Sequence, residues 1–205
     1  RLCPQAETLL TTDADAAVAP GWIAAHRAAL AEIRGWMEAA GLTPTLDAAG
    51  TLIGRREGDG PGTFYMGSHQ DSVRHGGAYD GIMGVALACL AVQNLAETGR
   101  TLPFAVEVLA FADEEGVRFP TALIGPRALA GRFAPDVLTL EDRAGTTLWT
   151  AMECFDLDPD GIGALARDPD FEKMQVHTRW IDGRIDALTQ PVPPARPALW
   201  KSAAA

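Results

Sequence analysis

Apolar residues recur at helical spacing between residues 22 and 40. Those predicted to share one helix face are Ile23, Leu30, Ile33 and Met37. Their steps of seven, three and four residues match the turn of an α-helix. Gly41 follows directly and is typical of the left-handed residue just after a helix end. The pattern therefore predicts a helix over residues 22–40 with a single apolar face.

Beyond this helix, short apolar runs alternate with longer apolar segments. Runs bounded by glycine or proline predict strands at residues 51–56, 63–66 and 104–112. The last run is almost continuously apolar, which is typical of a central strand covered on both faces. Residues 80–96 are apolar nearly all the way round and predict a helix buried against a sheet, and another helix is predicted near residues 121–131. This alternation predicts a layered α/β fold, with a mixed sheet flanked by helices.

The two ends of the chain lack this regularity. Residues 1–21 have weak periodicity and predict a poorly specified lead-in. Residues 190–197 hold four prolines, which is typical of irregular structure. We therefore expect one incomplete domain at residues 22–169, followed by a divergent, irregular tail at residues 170–205.

Composition and charge narrow the possible partners. A net charge of −10 offers no basic face for phosphates, so we expect no nucleic-acid partner. No apolar run is long enough to cross a bilayer, so we expect no membrane association. The three cysteines, Cys3, Cys89 and Cys154, are widely spaced. They indicate neither a disulfide framework nor a cysteine metal site, and they favour a reducing, cytoplasmic location.

The first motif with candidate chemistry is GSHQDS at residues 67–72, directly after a predicted strand. Residues two apart in an extended chain point the same way, so Asp71 can lie beside the ring of His69. A carboxylate that bonds one ring nitrogen leaves the other nitrogen free for a metal ion. Alone, the motif favours an ordinary loop histidine with an acidic neighbour.

Two further motifs carry carboxylates. GGAYDG at residues 76–81 opens a predicted helix, where Asp80 is either the N-cap or, between close-packing glycines, a bridge between cations. ADEEG at residues 112–116 places Glu114 and Glu115 at the carboxyl end of the most apolar strand, where α/β folds bind ligands. A solvated acidic turn is the alternative. The three motifs together indicate a metal-dependent hydrolase.

Five stretches together resemble the allantoate amidohydrolase and N-carbamoyl-L-amino acid hydrolase family, within the clan of two-zinc aminoacylases and carboxypeptidases. They are residues 47–55, 67–72, 76–84, 111–119 and 125–131. The run Gly-Ile-Met-Gly-Val after Asp80 favours the amidohydrolase branch, because the clan's peptidases typically have Met-Lys-Gly there. The resemblance covers residues 22–169 and implies the first half of a zinc-exopeptidase-like catalytic domain, left incomplete.

The resemblance implies a role for each matching residue. His69 would bind one metal ion, Asp80 would bridge two ions, and Glu115 would bind the second. Glu114 would be the general base that deprotonates the attacking water, and Asp71 would orient His69. The implied reaction is hydrolysis of a C–N bond in a small ureido or N-carbamoyl substrate. The implied cofactors are two divalent ions, zinc first, with manganese, cobalt or nickel as alternatives.

The chain departs from this family after residue 169. His177 is the nearest candidate for a further metal ligand, but the family's residues behind it are not kept. The lid and dimerisation domain, through which full-length relatives form homodimers, and the last metal histidine have no counterpart. Thr51 stands where the family usually has asparagine. We therefore expect a truncated site with little turnover. A non-catalytic metal-binding or interaction module, or an aminoacylase or peptidase of the same clan, stays open.

Overall fold

The computed structural model describes residues 22–73 and 75–162, with the side chains of residues 22–26 excepted. The predicted lead-in, the predicted tail and His177 lie outside this part of the chain, so the domain boundaries stay predictions. None of the described helices has the length and apolar character that a membrane span requires.

Four strands form one sheet in the order β1-β2-β4-β3. In chain order the elements are α1 (Trp22–Ala39), β1 (Thr43–Leu46), β2 (Leu52–Arg56), β3 (Thr63–His69), α2 (Ile82–Glu97), β4 (Ala105–Phe111), α3 (Ile124–Leu129), a 3-10 turn (Pro135–Thr139), α4 (Leu148–Cys154) and a second 3-10 turn (Pro159–Gly161). β3 and β4 are parallel, whereas β1 with β2 and β2 with β4 are antiparallel. The predicted mixed α/β architecture is confirmed.

Helix α1 packs its predicted apolar face on the sheet. Ile33 and Met37 are buried, and Leu30 lies against the same cluster. A Cβ on Gly54 of β2 would lie 2.9 Å from the sulfur of Met37, so the glycine lets the helix approach the strand closely. Gly41 has φ 79° and its N–H donates to the carbonyl of Glu38, as its predicted role at the helix end requires.

Strand β4 is the interior strand that its apolar run predicts. Its buried residues are Ala105, Val106, Val108, Leu109 and Ala110. Val106, Val108 and Ala110 join the cluster formed with α1 and α2. A second cluster is formed around α3, α4 and the first 3-10 turn, with Ile124, Leu138 and Met152 among its members. These two clusters fix the loop that leaves the carboxyl end of β4.

Helix α2 packs against the sheet as predicted, but its start differs from the prediction. It begins at Ile82, two residues later than expected, because Gly81 has φ 69° and stands outside the helix. Only one face is buried, namely Val85, Ala88, Cys89 and Val92. Met83, Leu87 and Leu90 are exposed, although the helix is apolar nearly all the way round. One sheet covers one face of a helix, and an apolar pattern alone does not identify the covered side.

Two smaller differences follow from local backbone features. β1 was not predicted, because it has four mostly exposed residues and contains Pro44. α3 begins at Ile124, because Leu123 is left-handed with φ 61°.

Cys89 is a free, buried thiol, as its apolar setting predicts. Cys154 takes part in a disulfide bond, which the wide cysteine spacing did not predict.

Candidate functional site

The carboxyl ends of β3 and β4 lie side by side. The two strands are parallel and in register, with His69 paired to Phe111 at their last residues. The chain leaving β3 carries Asp71, and the chain leaving β4 carries Glu114 and Glu115. Parallel neighbours deliver their following loops to the same sheet edge, so residues far apart in sequence meet there.

Three side chains predicted to act at a metal site converge at this edge. One ligand atom from each of His69, Glu114 and Glu115 lies within 4.8 Å of the others, and all three residues are partly buried. The Nε2 atom of His69 lies 3.9 Å from Oδ1 of Asp80. The site thus offers an imidazole nitrogen and several carboxylate oxygens, the donors that zinc and similar divalent ions bind.

The His69 ring is oriented by a backbone oxygen. Its Nδ1 lies 2.8 Å from the carbonyl oxygen of Asp71. A carbonyl oxygen only accepts hydrogen bonds, so Nδ1 carries the proton. The lone pair of Nε2 is therefore free to bind a metal ion. The carboxylate of Asp71 lies 3.8 Å from Nδ1, too far for a hydrogen bond. Asp71 is beside His69 as predicted, but the group that contacts the ring differs.

The Asp71 carboxylate accepts hydrogen bonds from the other strand's loop. Oδ1 accepts the backbone N–H of Glu114 at 3.2 Å, and Oδ2 accepts that of Glu115 at 3.1 Å. Asp71 is 4% exposed, so these hydrogen bonds are shielded from water. The side chain therefore ties the acidic turn after β4 to the loop after β3.

Asp80 does not cap α2. The N-cap position is Gly81, and it makes no side-chain capping bond. The Asp80 carboxylate instead accepts the hydroxyl of Ser72 at 3.0 Å and faces His69. A Cβ on Gly76 would lie 2.8 Å from Oδ2 of Asp80, so this glycine lets the loop approach the carboxylate. Of the two interpretations of Asp80, the geometry favours the site over the cap.

Carboxylates crowd one another here. Partial burial raises the pKa of Glu115, the neighbouring carboxyls of Asp80 and Glu114 raise it further, and His69 opposes the rise. Burial raises the pKa of Asp113 to about 7; the charge of Asp71 adds to the rise, and Arg118 opposes it. Like charges held this close favour protonation or a bound cation. The donor set fits a divalent ion.

A buried ion pair between Arg118 and Asp142, which the sequence did not predict, lies just after the acidic residues 113–115. Nε and an Nη of Arg118 lie 2.8 and 2.6 Å from Oδ2 of Asp142, and both side chains are about nine-tenths buried. Asp142 also accepts the N–H groups of Ala144 and Thr146. The available signal was Arg118 itself, standing between Val117 and Phe119, because a charge in an apolar run needs a buried partner.

The chain is similar in sequence to known peptidases and amidohydrolases. The profile of Peptidase family M28 matches residues 51–192. An N-carbamoyl-L-amino acid amidohydrolase of Geobacillus stearothermophilus is 42% identical over 155 residues, which are 75% of this chain and 38% of the relative. A probable allantoate deiminase of Oryza sativa subsp. japonica is 36% identical over 171 residues, which are 80% of this chain and 35% of the relative.

Solved structures give the same match. The crystal structure of a hydantoinase/carbamoylase family amidase from Burkholderia ambifaria superposes with a TM-score of 0.59 and 30% identity. The superposition covers 64% of this chain and 33% of that one. The chain spans 33–38% of the length of these three relatives.

Proposed function

Because the chain belongs to Peptidase family M28 and has amidohydrolases among its relatives, we propose that it carries the metal-binding and water-activating part of an amidohydrolase site. The reaction proposed is hydrolysis of a C–N bond in a small ureido or N-carbamoyl compound, such as an N-carbamoyl-L-amino acid or allantoate. The relatives whose names include these substrates support that substrate class.

The observation that carries the proposal is the convergence of His69, Glu114 and Glu115 within 4.8 Å. A divalent ion held there would supply a Lewis acid for the substrate carbonyl and lower the pKa of a nearby water. His69 would bind the ion through Nε2, because Nδ1 is engaged by the backbone of Asp71. Zinc is the first candidate, and manganese, cobalt or nickel fit the same donors.

The carboxylates divide the remaining work. Burial and the neighbouring Asp80 carboxylate raise the pKa of Glu115, and a cation between the two side chains would relieve their repulsion. We propose that Asp80 would help to hold both ions and that Glu115 would hold the second. Glu114 is then the general base, which takes the proton of the attacking water and later delivers it to the leaving amine.

A second candidate is a metal-binding module without catalysis. It is favoured by the size of the described cluster, which contains one histidine and has the span of a single ion site. An aminoacylase or peptidase of the same clan would use the same residues on another substrate. For the chain alone we expect little turnover, because among the described residues only His69 brings an imidazole to the cluster.

Metal titration and ammonia release together test these alternatives. Zinc or manganese would be titrated calorimetrically into the metal-free chain, and ammonia release measured from N-carbamoyl-L-amino acids and from allantoate. Two bound ions with turnover support the amidohydrolase, and one ion without turnover supports the module. Absence of micromolar zinc binding would overturn both.

Single substitutions separate the two glutamates. Glu115→Gln should weaken metal binding at least ~10-fold, because a neutral amide is a poorer ligand. Glu114→Gln should leave metal affinity within a few fold but reduce any turnover about 100-fold or more, because the base is lost. Glu153→Gln, at an exposed position of α4, is the matched control. Turnover that survives Glu114→Gln would contradict the assignment of the base.

A further inference from the structure

We propose that the Asp71 side chain is a positioning residue for the acidic turn that follows β4. The turn comprises residues 113–116 and carries Glu114 and Glu115. The inference rests on the proposed function in one respect, namely that these two glutamates serve as base and metal ligand. It concerns a carboxylate that would touch neither substrate nor ion.

The carboxylate is fully engaged by two successive backbone N–H groups. Each oxygen accepts one of them, from Glu114 at 3.2 Å and from Glu115 at 3.1 Å. Asp113, just before them, has φ 47°, a left-handed conformation that aspartate tolerates better than most residues. Successive N–H groups next to a left-handed residue form a concave anion site, and here its anion is a side chain of the same protein.

The hydrogen bond of the His69 ring is made by a different atom of Asp71. A neutral imidazole with its proton on Nδ1 has one donor, and the backbone oxygen of Asp71 accepts it at 2.8 Å. The nearest carboxylate oxygen is 3.8 Å from that nitrogen. Removing the side chain of Asp71 should therefore leave the ring's hydrogen bond and its tautomer in place.

The carbonyl groups of the turn are held by a different element. The N–H of Leu123 donates to the carbonyl of Glu114 at 2.9 Å, and that of Ile124 to Asp113 at 3.1 Å. These bonds hold the carbonyl groups of the turn against the start of α3. The two N–H groups on the other side point to Asp71, which is buried and 4% exposed. Without it, the direction in which both glutamates leave the backbone is less well fixed.

Amide hydrogen exchange and histidine NMR on the metal-free chain test the proposal without relying on activity. In Asp71→Ala, exchange at the amides of Glu114 and Glu115 should rise roughly 10-fold or more, because each loses a buried acceptor. Long-range proton–nitrogen spectra should still show the His69 proton on Nδ1. Asp136→Asn, an exposed carboxylate on the first 3-10 turn, is the control.

A milder variant covers the case in which Asp71→Ala does not fold. Asp71→Asn keeps one acceptor oxygen, so one of the two amides should lose protection while the other keeps it. Unchanged exchange at both amides, or transfer of the His69 proton to Nε2, would overturn the proposal. Failure of the parent chain to bind zinc would count against the proposed function only, since exchange is read without metal.

Zinc affinity supplies a second readout if the parent chain binds the metal. Asp71→Ala removes no proposed ligand atom, but it should weaken binding roughly 10- to 100-fold, the usual effect of losing a group that positions a ligand. Loosened amides with unchanged zinc affinity would overturn the positioning role.

Discussion

The ring of His69 occupies the space that a side chain on Gly81 would need. A Cβ at Gly81 would lie 2.5 Å from Nδ1 of His69 and 2.6 Å from its carbonyl oxygen. The same glycine has φ 69°, a conformation that other residues adopt only with strain. The absence of a side chain at Gly81 therefore allows the ring of His69 to occupy its observed position.

Gly81→Ala should therefore displace His69 and weaken metal binding. Gly99→Ala is a closely matched control, because Gly99 has φ 66° at the other end of α2 and nothing within 4 Å of its Cβ position. Both variants should lose roughly 1–2 kcal/mol from backbone strain. Only Gly81→Ala should lose more than this and also lose zinc affinity, as measured by denaturant unfolding and calorimetry. Equal behaviour of the two variants would contradict the contact.

Because it is buried, the Arg118–Asp142 ion pair should contribute far more to the free energy of unfolding than a surface ion pair with the same N–O distance. Asp142→Asn leaves Arg118 buried opposite a neutral partner, and we expect a loss of about 3–5 kcal/mol in unfolding free energy. Arg27 and Asp156 are also 2.6 Å apart, but their side chains are 51% and 79% exposed. Asp156→Asn should cost less than ~1 kcal/mol. A small loss in both variants would show that burial does not decide the effect.

Thr51 carries a buried hydroxyl whose Oγ1 has no hydrogen-bond partner in the described part of the chain. Thr51→Val removes this hydroxyl while nearly preserving the shape, so stability should stay within about 1 kcal/mol or rise. The matched substitution is Thr147→Val, because the Thr147 hydroxyl accepts the N–H of Thr150 and caps α4. That variant should lose about 1 kcal/mol. Thermal and denaturant unfolding distinguish them, and a larger loss at Thr51 would indicate a buried partner such as water.

Asp47 should make the chain less stable as the pH rises from about 4 to about 6. Burial raises its pKa to about 6, although the N–H groups of Thr51, Ala49 and Gly50 oppose the rise. The folded chain therefore holds this proton more tightly than the unfolded chain. The contribution to stability is fully present below the unfolded pKa of 3.8 and is lost as the pH rises through about 6.

Asp47→Asn removes this titration while keeping an acceptor oxygen for the two N–H groups that Oδ1 bonds. Relative to the parent, the variant should gain on the order of 1–2 kcal/mol between pH 4 and pH 7 and then stay level. Denaturant unfolding at a series of pH values measures the difference. A constant difference across that range would show that Asp47 titrates normally.

Hydrophobic patterning predicted the elements whose burial is regular. The one-faced helix α1 and the interior strand β4 were found where the spacing of Ile33 and Met37, and the run ending at Phe111, placed them. Strand β1 was not predicted, because Pro44 and its exposed neighbours give no alternation of apolar and polar residues. The start of α2 depended on the backbone of Gly81, which no periodicity reveals.

The candidate site was predictable from motif residues but not in its internal contacts. His69, Asp80, Glu114 and Glu115 meet at the sheet edge, as the order of strands and motifs suggested. Asp71 was expected to point its carboxylate at the ring, because residues two apart share a face in a strand. That rule does not apply, since β3 ends at His69 and the chain turns immediately after it.

The bonds that join Asp71 to Glu114 and Glu115 close loops of 43 and 44 residues. Such contacts are slow to form, because the chain must first complete the β3–α2–β4 crossover. A divalent ion at this edge would bind only after that step and would stabilise the native state by mass action, about 2.7 kcal/mol at a hundredfold excess over its Kd. The resistance of the chain to proteolysis should then increase with the concentration of the metal ion.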